Sequence, residues 1–439
     1  MNKSLLFFRY NKPFFLAELV KAVLHYRIRN LPAAQDKAKS VGYNGAMFPW
    51  ECAYTGYDVC PGEDYIRREI HITGDIVHLL QQYVYITNDW SILTEGVSSA
   101  GHNCVKRRRK VVIDDAAKLS CTQSDLHNDQ KKCFTAWDLL RDAALFWQSR
   151  VRFSFTRNHY VIDEVMGPDE WHSPVNNSVF TNYLASKNLR FAANVAVRLG
   201  VCLELAHAWL KIASDILIGY DARRNYHPEY DGFVPEKDIV KQADTILLGF
   251  PMMLNMPLET HRNDLVIYEN ATTENGPAMT WGMFCINWLA VKNTERASEM
   301  YLRQLANAQK PFLIWSENAD STGCTNFLTG IGSYLQSVIF GYFGLRLYAN
   351  HLSLEPVLLP VSLNDTVSNM AMRELKYRGL ILEVEVSSNS LSVKLLGYLP
   401  DSLLRCAVIV VPEFSSYSYL CQPGQFQTVK RTSTEIFGA

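Results

Sequence analysis

The sequence lacks the short motifs that identify several large enzyme classes. It has no Gly-rich phosphate loop, no G-x-G-x-x-G after a strand and no H-E-x-x-H pair. The G-x-S-x-G turn of the α/β-hydrolases is also absent. The ten cysteines form no C-x-x-C pair, and the eleven histidines show no metal-ligand spacing with cysteine or acid. We therefore expect chemistry that needs no metal and no cofactor.

Charge imbalance and long apolar runs are absent too. The formal net charge is -1, which argues against a protein that binds nucleic acid by bulk electrostatics. No run approaches the roughly 18 apolar residues that span a bilayer. The apolar stretch from Leu5 to Phe8 is too short for the core of a signal peptide. We expect a cytoplasmic protein with no nucleic-acid or membrane partner, and with reduced, mostly buried cysteines.

Helical periodicity dominates the chain as far as Tyr348. Apolar residues recur at helical spacing in roughly ten segments, among them 66–87, 245–254 and 326–345. No strands alternate with these segments, as they would in a Rossmann or TIM fold. The pattern therefore predicts a mainly α protein, an α/α toroid of antiparallel helices over residues 1–348.

Two regions depart from this periodicity. Residues 97–134 are polar and irregular and contain the basic run 105–110, which suggests either a nuclear-localisation or nucleic-acid patch or a solvated insertion. The composition favours the insertion. Beyond Tyr348, segments of strand length alternate with turn residues. They predict a small β-rich C-terminal domain over residues 349–439.

The loop from Val165 to Ser178 has the strongest chemical pattern in the chain. Gly167 and Pro168 end a strand-like run, and two acids, a tryptophan, a histidine and two asparagines follow before the next helix. Such a loop suits sugar chemistry, because a carboxylic acid can protonate a leaving oxygen while amides hold hydroxyl groups. The alternative is that Asp169 and Glu170 only stabilise the start of that helix.

Three further loops carry a similar mixture of side chains, and in a toroid they would converge at one end: Trp50-Glu51, Lys241-Gln242 and Trp315-Ser316-Glu317. Trp50 could be a stacking platform, although a buried tryptophan beside a surface acid would look the same. Glycosidic cleavage needs one protonated and one ionised carboxyl group. Glu170 and Glu317 are the acids in the most site-like loops.

Six motifs in order along the chain resemble glycoside hydrolase family 65, which holds acid trehalases and the maltose and kojibiose phosphorylases. They are Gly45–Glu51, Gly167–His172, Val175–Ser178, Val240–Asp244, Gly276–Trp281 and Trp315–Asp320. The resemblance covers about residues 5–345 and implies an (α/α)6 catalytic barrel, a C-terminal β domain and an inverting mechanism. It implies that Glu170 is the general acid and Glu317 the general base. The residues that it implies for holding the glucosyl unit are Trp50, Glu51, Lys241 and Gln242.

The reaction implied by the resemblance removes the α-linked glucose from glucosyl-galactosyl-hydroxylysine, free or peptide-linked, which is the disaccharide unit of collagen. The alternatives are a phosphorylase or a trehalase acting on an α-glucosyl disaccharide. Glu317 favours a hydrolase, because a phosphorylase uses phosphate and needs no base carboxylate.

The start of the chain raises one more alternative. Members of the family begin with a β-sandwich domain and the first part of the barrel, so this chain is expected to begin inside the barrel at about Leu5. A barrel that is incomplete at its N-terminus would expose apolar helix faces. The further alternative is therefore an inactive truncated isoform.

Overall fold

The computed structural model describes residues 17–98, 133–400, 407–410, 418–431 and 434–438. The described part of the chain contains eleven α-helices. In chain order they are α1 (Ala17–Arg29), α2 (Leu31–Ser40), α3 (Glu63–Arg68), α4 (His71–Thr87), α5 (Ala136–Arg150), α6 (Val179–Leu199), α7 (Leu203–Asp215), α8 (Leu258–Ala271), α9 (Met279–Ala290), α10 (Thr294–Gln304) and α11 (Leu328–Gln336). Shorter 3-10 turns cover Trp90–Leu93, Thr245–Leu248 and Leu305–Asn307, and α11 continues into a π-helical segment, Ser337–Tyr342.

Short strands are scattered among the helices, and longer strands follow them. The short ones are β1 (Val97–Ser98), β2 (Cys133–Phe134), β3 (Arg152–Ser154), β4 (His159–Val161), β5 (Ala308–Gln309) and β6 (Ile314–Trp315). The later ones are β7 (Arg346–Leu347), β8 (Leu352–Leu354), β9 (Pro360–Ser362), β10 (Asp365–Thr366), β11 (Asn369–Tyr377), β12 (Leu380–Ser387), β13 (Ser390–Tyr398), β14 (Ala407–Val410), β15 (Ser418–Cys421), β16 (Phe426–Lys430) and β17 (Thr434–Gly438).

Two pairs of consecutive helices, α6 with α7 and α9 with α10, pack closely side by side. The pair α6 and α7 illustrates how the sequence produces this arrangement. Ser178 caps the start of α6 by accepting a hydrogen bond from the N–H of Thr181 (3.3 Å). Gly200 ends the helix in the left-handed conformation (φ 67°), and α7 begins at Leu203. The helices α9 and α10 form a similar pair across Val291–Asn293.

Apart from β9 and β10, which pair with each other, the later strands form two antiparallel sheets that share a core with the helices. One sheet has the order β11-β12-β13-β16 and the other β15-β14-β17-β8-β7. Buried and more exposed residues alternate along β11, β12 and β13, which is the period of a sheet with one covered face. The buried core continues from Phe284 of α9 to Leu382 of β12. The division into domains at residue 348 stays a prediction, because one core spans both parts.

The ends of the predicted insertion meet in the structure. Val97 pairs with Phe134 and Ser98 with Cys133 in a two-stranded antiparallel ladder, β1 with β2. The rest of the predicted insertion, residues 99–132, lies outside the described residues. The two ends of the predicted insertion are therefore adjacent in space.

Two predicted helices differ from the observed ones. The segment 66–87 is divided between α3 and α4, because the carbonyl of Arg68 accepts the N–H groups of Ile70 (2.8 Å) and Met166 (3.0 Å) and no i+4 bond of an α-helix. The segment 245–254 is helical only over Thr245–Leu248, since Pro251 has no N–H to continue a helix.

The structure also bears on the oxidation state of the cysteines and on membrane-spanning helices. The prediction that the cysteines are reduced is wrong for Cys133 and Cys202, which are disulfide-bonded. Cys52, Cys60 and Cys285 are free. No helix within the described ranges has both the length and the apolar character that crossing a bilayer requires.

Gly45 offers a test of the turn that leads to Trp50. Its φ is +72°, and an added Cβ would lie against the Asp142 carbonyl and 2.6 Å from the Phe146 nitrogen. Gly42 has a similar φ of +85° with nothing within 4 Å, so it isolates the cost of the dihedral angle. We expect Gly42→Ala to cost about 1–2 kcal/mol of unfolding free energy. Gly45→Ala should cost about 1–3 kcal/mol more, because backbone must move. Urea unfolding measures both, and equal losses would contradict the close contact.

Candidate active site

The Gly167–Ser178 loop is fixed at the end of β4 and the start of α6. Asn177 accepts a hydrogen bond from the N–H of Ile162 (3.2 Å) and donates one to Asp231 (2.7 Å). The residue that caps α6 is Ser178, and the first turn of α6 contains no acidic residue. The alternative in which Asp169 and Glu170 stabilise the helix start is therefore wrong. Their side chains are directed elsewhere.

Asp169 joins this loop to the 241–244 loop. Its carboxylate is buried and accepts hydrogen bonds from the N–H groups of Trp171 (3.1 Å) and Lys241 (3.2 Å). A third contact joins it to Nδ1 of His172 (2.8 Å). The N–H of Asp169 in turn donates to Asp244 (2.9 Å). Asp169 is thus a structural neighbour of Glu170 that sets the relative position of two predicted site loops.

Glu170 and Lys241 face each other across these loops. The Lys241 ammonium lies 2.6 Å from Oε2 of Glu170, and the side chains are 22% and 11% exposed for Lys241 and Glu170, respectively. Gln242 is buried, and its amide donates to the carbonyl of Pro168. The structure therefore brings together three residues that were predicted for the site from distant parts of the sequence.

The Trp50-Glu51 loop is joined to the Glu170 loop through α3. The ring of Trp50 packs on Tyr65 of α3, with centroids 5.0 Å apart. The same short helix ends at Arg68, whose carbonyl accepts a hydrogen bond from the N–H of Met166. Asp64 of this helix accepts a hydrogen bond from the Ser173 hydroxyl. Trp50 and Glu51 are both half-buried. Because the Trp50 ring also packs against the core, a packing role for it stays open.

Glu317 lies in a separate turn that the chain holds firmly. Its Oε2 accepts the N–H of Cys324 (2.9 Å), and its carbonyl accepts the N–H of Ala278 (2.8 Å). Gly323 has a φ of +77°, and a Cβ there would lie 2.6 Å from Oε2 of Glu317. The turn is linked to the 241–244 loop, since Thr280 in α9 accepts the N–H of Ala243 (3.3 Å).

Cys324 is affected by carboxylates of both the Trp50-Glu51 and the Trp315-Glu317 loops. Burial raises the pKa of its thiol, and the negative charges of Glu317 and Glu51 add to the increase. Pairwise links through α3, Asp169 and Thr280 therefore join the predicted loops, and Glu51 and Glu317 both act on the Cys324 thiol.

A layer of acids beneath Glu170 was not predicted from the sequence. Glu229 is buried, and burial together with the charges of Asp244, Asp169 and Asp238 holds the pKa of its carboxyl well above the ordinary value. Its Oε2 has no hydrogen-bond partner among the described residues. His172 lies 3.6 Å from Oε1 of Glu229. The hydrogen bond to Asp169 raises the pKa of His172, against the effect of burial.

One group of side chains in this layer has a spacing that could hold a cation. Ligand-type atoms of Asp169, His172 and Glu229 lie within 4.8 Å of one another, and the described residues contain no other such group. Asp169 and His172 are already hydrogen-bonded to each other, so the geometry favours a hydrogen-bonded cluster over a cation site. The expectation that the protein binds no metal stays a prediction.

The chain is similar to known glycoside-cleaving proteins over most of its length. Residues 7–99 and 124–239 match the model of the glycosyl hydrolase family 65 central catalytic domain. The unmatched interval between them lies inside the predicted insertion. A protein-glucosylgalactosylhydroxylysine glucosidase from Gallus gallus is 38% identical over 380 residues, which are 86% of this chain and 47% of the relative. The relative of that name from Danio rerio is 36% identical, over 96% of this chain and 58% of the relative.

Other relatives act on different glucosides. A kojibiose hydrolase from Flavobacterium johnsoniae is 31% identical over 76% of this chain and 42% of the relative. The chain spans about half the length of the curated relatives it matches.

A solved structure provisionally named a kojibiose phosphorylase, from the human microbiome, has a TM-score of 0.72 at 16% identity. The match covers 98% of this chain and 60% of that one. At this identity the similarity bears on the fold alone, and it confirms the predicted mainly helical (α/α)6 toroid followed by a small β region.

The raised pKa of Glu229 predicts that the stability of the folded protein depends on pH. Its raised folded-state pKa means that the folded protein keeps a proton which the unfolded chain releases above about pH 4.5. The associated stability is present below that pH and is lost as pH rises through the raised pKa. Glu229→Gln imitates the protonated form, so it should flatten the fall in unfolding free energy between about pH 5 and pH 8, by at most ~1.4 kcal/mol per pH unit.

Urea unfolding at several pH values in that range measures the effect. Glu204→Gln, at an exposed position in α7, is the control and should keep the wild-type pH slope. A wild-type slope in Glu229→Gln would show that the buried carboxyl does not hold its proton.

Proposed function

Because residues 7–99 and 124–239 match the glycosyl hydrolase family 65 central catalytic domain, we propose that the protein is an inverting glycosidase that removes α-linked glucose from glucosyl-galactosyl-hydroxylysine units of collagen. The observation that carries the proposal is the meeting of Glu170 with Lys241 at the point where the predicted loops converge. The names of the relatives from Gallus gallus and Danio rerio support the substrate. The cytoplasmic location and the absence of a nucleic-acid partner stay predictions.

Glu170 is the proposed general acid. It donates its proton to the glycosidic oxygen as the bond from that oxygen to the glucosyl C1 breaks, so the galactosyl-hydroxylysine leaves as an alcohol. The partial exposure of Glu170 supports this role, since its neighbour Asp169 is buried and committed to backbone N–H groups. Asp169 therefore holds the loop, while Glu170 can reach a substrate.

Lys241 must change partner during this reaction. In the ion pair Glu170 is a carboxylate, whereas a proton donor must carry a proton. We propose that Lys241 leaves Glu170 for a hydroxyl of the glucosyl unit when substrate binds, which lets Glu170 hold a proton against the glycosidic oxygen. Lys241 thus has two proposed roles: it binds the substrate, and its departure from Glu170 lets that carboxyl become protonated.

Glu317 is the proposed general base. It takes a proton from a water molecule whose oxygen bonds to C1 on the face opposite the leaving group, so the released glucose has the inverted configuration. The contact of Oε2 with the Cys324 N–H and the close approach of Gly323 fix the carboxylate in the turn. A fixed base supports catalysis because the carboxylate loses little conformational entropy when it orients the attacking water.

The remaining predicted residues would hold the glucosyl unit. Trp50 and Glu51 offer an aromatic face and a carboxylate in a half-buried loop. Gln242 donates to the carbonyl of Pro168, so we assign it to positioning of the acid loop as well as to the sugar subsite.

A phosphorylase is the nearest alternative, since it cleaves the same type of bond with phosphate as the attacking group. It would have no use for a base carboxylate at Glu317, which supports the hydrolase. A trehalase would differ in the subsite for the leaving sugar, and a chain that does not fold fully would be inactive.

Glu170→Gln tests the acid directly. Glutamine keeps the shape of the side chain but cannot donate the proton, so kcat on glucosyl-galactosyl-hydroxylysine should fall by about 10²–10⁴-fold while KM changes little. Glucose release measured by a coupled assay gives both constants. Glu164→Gln is a matched control at an exposed position a few residues earlier. Wild-type turnover in Glu170→Gln would remove Glu170 from the acid role.

A further inference from the structure

A cavity of about 300 Å³ lies apart from the candidate active site. It is formed by α4, α6, the segment 251–253 and the residues after β7. Helix α6 begins beside the Glu170 loop, and Lys187 in the cavity wall comes eight residues after Val179. The two places are therefore separated by about 12 Å along the helix axis. None of the residues proposed for glycoside hydrolysis lines this cavity.

Lys187 is the most unusual residue in the cavity wall. Protein atoms surround its ammonium group, and this burial lowers its pKa to about 8, although part of the side chain still faces the cavity. Its hydrogen-bond partner is the carbonyl of Met252 (2.8 Å). A carbonyl does not neutralise a positive charge, and a buried charge without a counter-charge is costly. The lining residues include no carboxylate.

Two arginines add to the positive charge around this cavity. Arg190 lines it and is exposed, so it marks a side that is open to solvent, and its guanidinium donates to the carbonyl of Ala213 (3.1 Å). Arg378 donates to the carbonyl of Tyr85, a residue of the cavity wall (3.3 Å). Within the described residues neither arginine forms an ion pair. Two cations thus line the cavity and a third contacts its wall, and all three donate hydrogen bonds to backbone carbonyls.

The rest of the wall is largely apolar or aromatic. It includes the rings of Tyr85 and Tyr183 and the side chain of Met252. A volume near 300 Å³ is at the lower end of the range for pockets that hold small organic ligands. An inorganic ion alone would leave this apolar surface uncovered.

We propose that this cavity binds a small organic molecule with a phosphate group, the phosphate lying between Lys187 and Arg190 and the apolar part lying against Tyr85 and Tyr183. A doubly charged phosphate matches two cations that have no acid partner, and charge-assisted bonds from lysine and arginine are its usual ligands. The site is separate from the proposed hydrolytic site and does not depend on that function.

Isothermal titration of the whole chain with phenyl phosphate, and separately with inorganic phosphate, tests the proposal. We expect phenyl phosphate to bind more tightly than inorganic phosphate, because only the former covers the apolar wall. Lys187→Met should weaken the binding of phenyl phosphate about tenfold or more, since it removes a charge-assisted hydrogen bond. Lys211→Met, an exposed lysine on α7, is the matched control and should bind as the wild type does.

Arg190→Met provides a second variant at an exposed position, so its effect can be read even if Lys187→Met does not fold. It should weaken phenyl phosphate binding as well. Binding that is unchanged in a folded Lys187→Met protein and in Arg190→Met would place the anion elsewhere, for example at the hydrolytic site, and would overturn the proposal. No binding by the wild type, or equal binding of both probes, would overturn it too.

Discussion

The geometry of the candidate active site depends on the hydrogen bonds of one buried carboxylate, Asp169. It accepts the N–H groups of Trp171 and Lys241 and contacts His172, and so it holds two loops that are 72 residues apart in sequence. Without this carboxylate, two backbone N–H groups would lose their partner, at a cost of about 1–3 kcal/mol for each one left buried. Glu170 and Lys241 face each other because their neighbours in sequence are tied together in this way.

The layer of charge below the site has a consequence for catalysis. Asp169, Asp244 and Glu229 are buried near one another. Burial and the neighbouring negative charges raise the pKa of the Glu229 carboxyl, which therefore resists ionisation. His172 lies between Asp169 and Glu229 and is hydrogen-bonded to the buried Asp169 carboxylate. We infer that this layer keeps the acid loop rigid, since any displacement of His172 would take a hydrogen-bond partner from a carboxylate in a poorly solvated place.

Much of the fold follows from the sequence, whereas the details of the site depend on tertiary contacts. Helical periodicity without alternating strands was enough to predict the toroid, and the acid- and amide-rich loops pointed to one end of it. The break between α3 and α4 could not be predicted, because the apolar period continues through it and one of the hydrogen bonds at the break comes from the distant Met166. Glu229 was missed for the same kind of reason. It lies in an ordinary polar loop, and only the packing of that loop under Asp169 buries it.

The central claim is that Glu170 and Glu317 act on opposite faces of an α-glucosyl unit, one as acid and the other as base for water. The most direct measurement is the NMR spectrum of the first product released from glucosyl-galactosyl-hydroxylysine, recorded before mutarotation and with phosphate present. The account predicts β-glucose, formed equally well when phosphate is left out. Release of α-glucose, release of glucose 1-phosphate or the absence of any cleavage would contradict it.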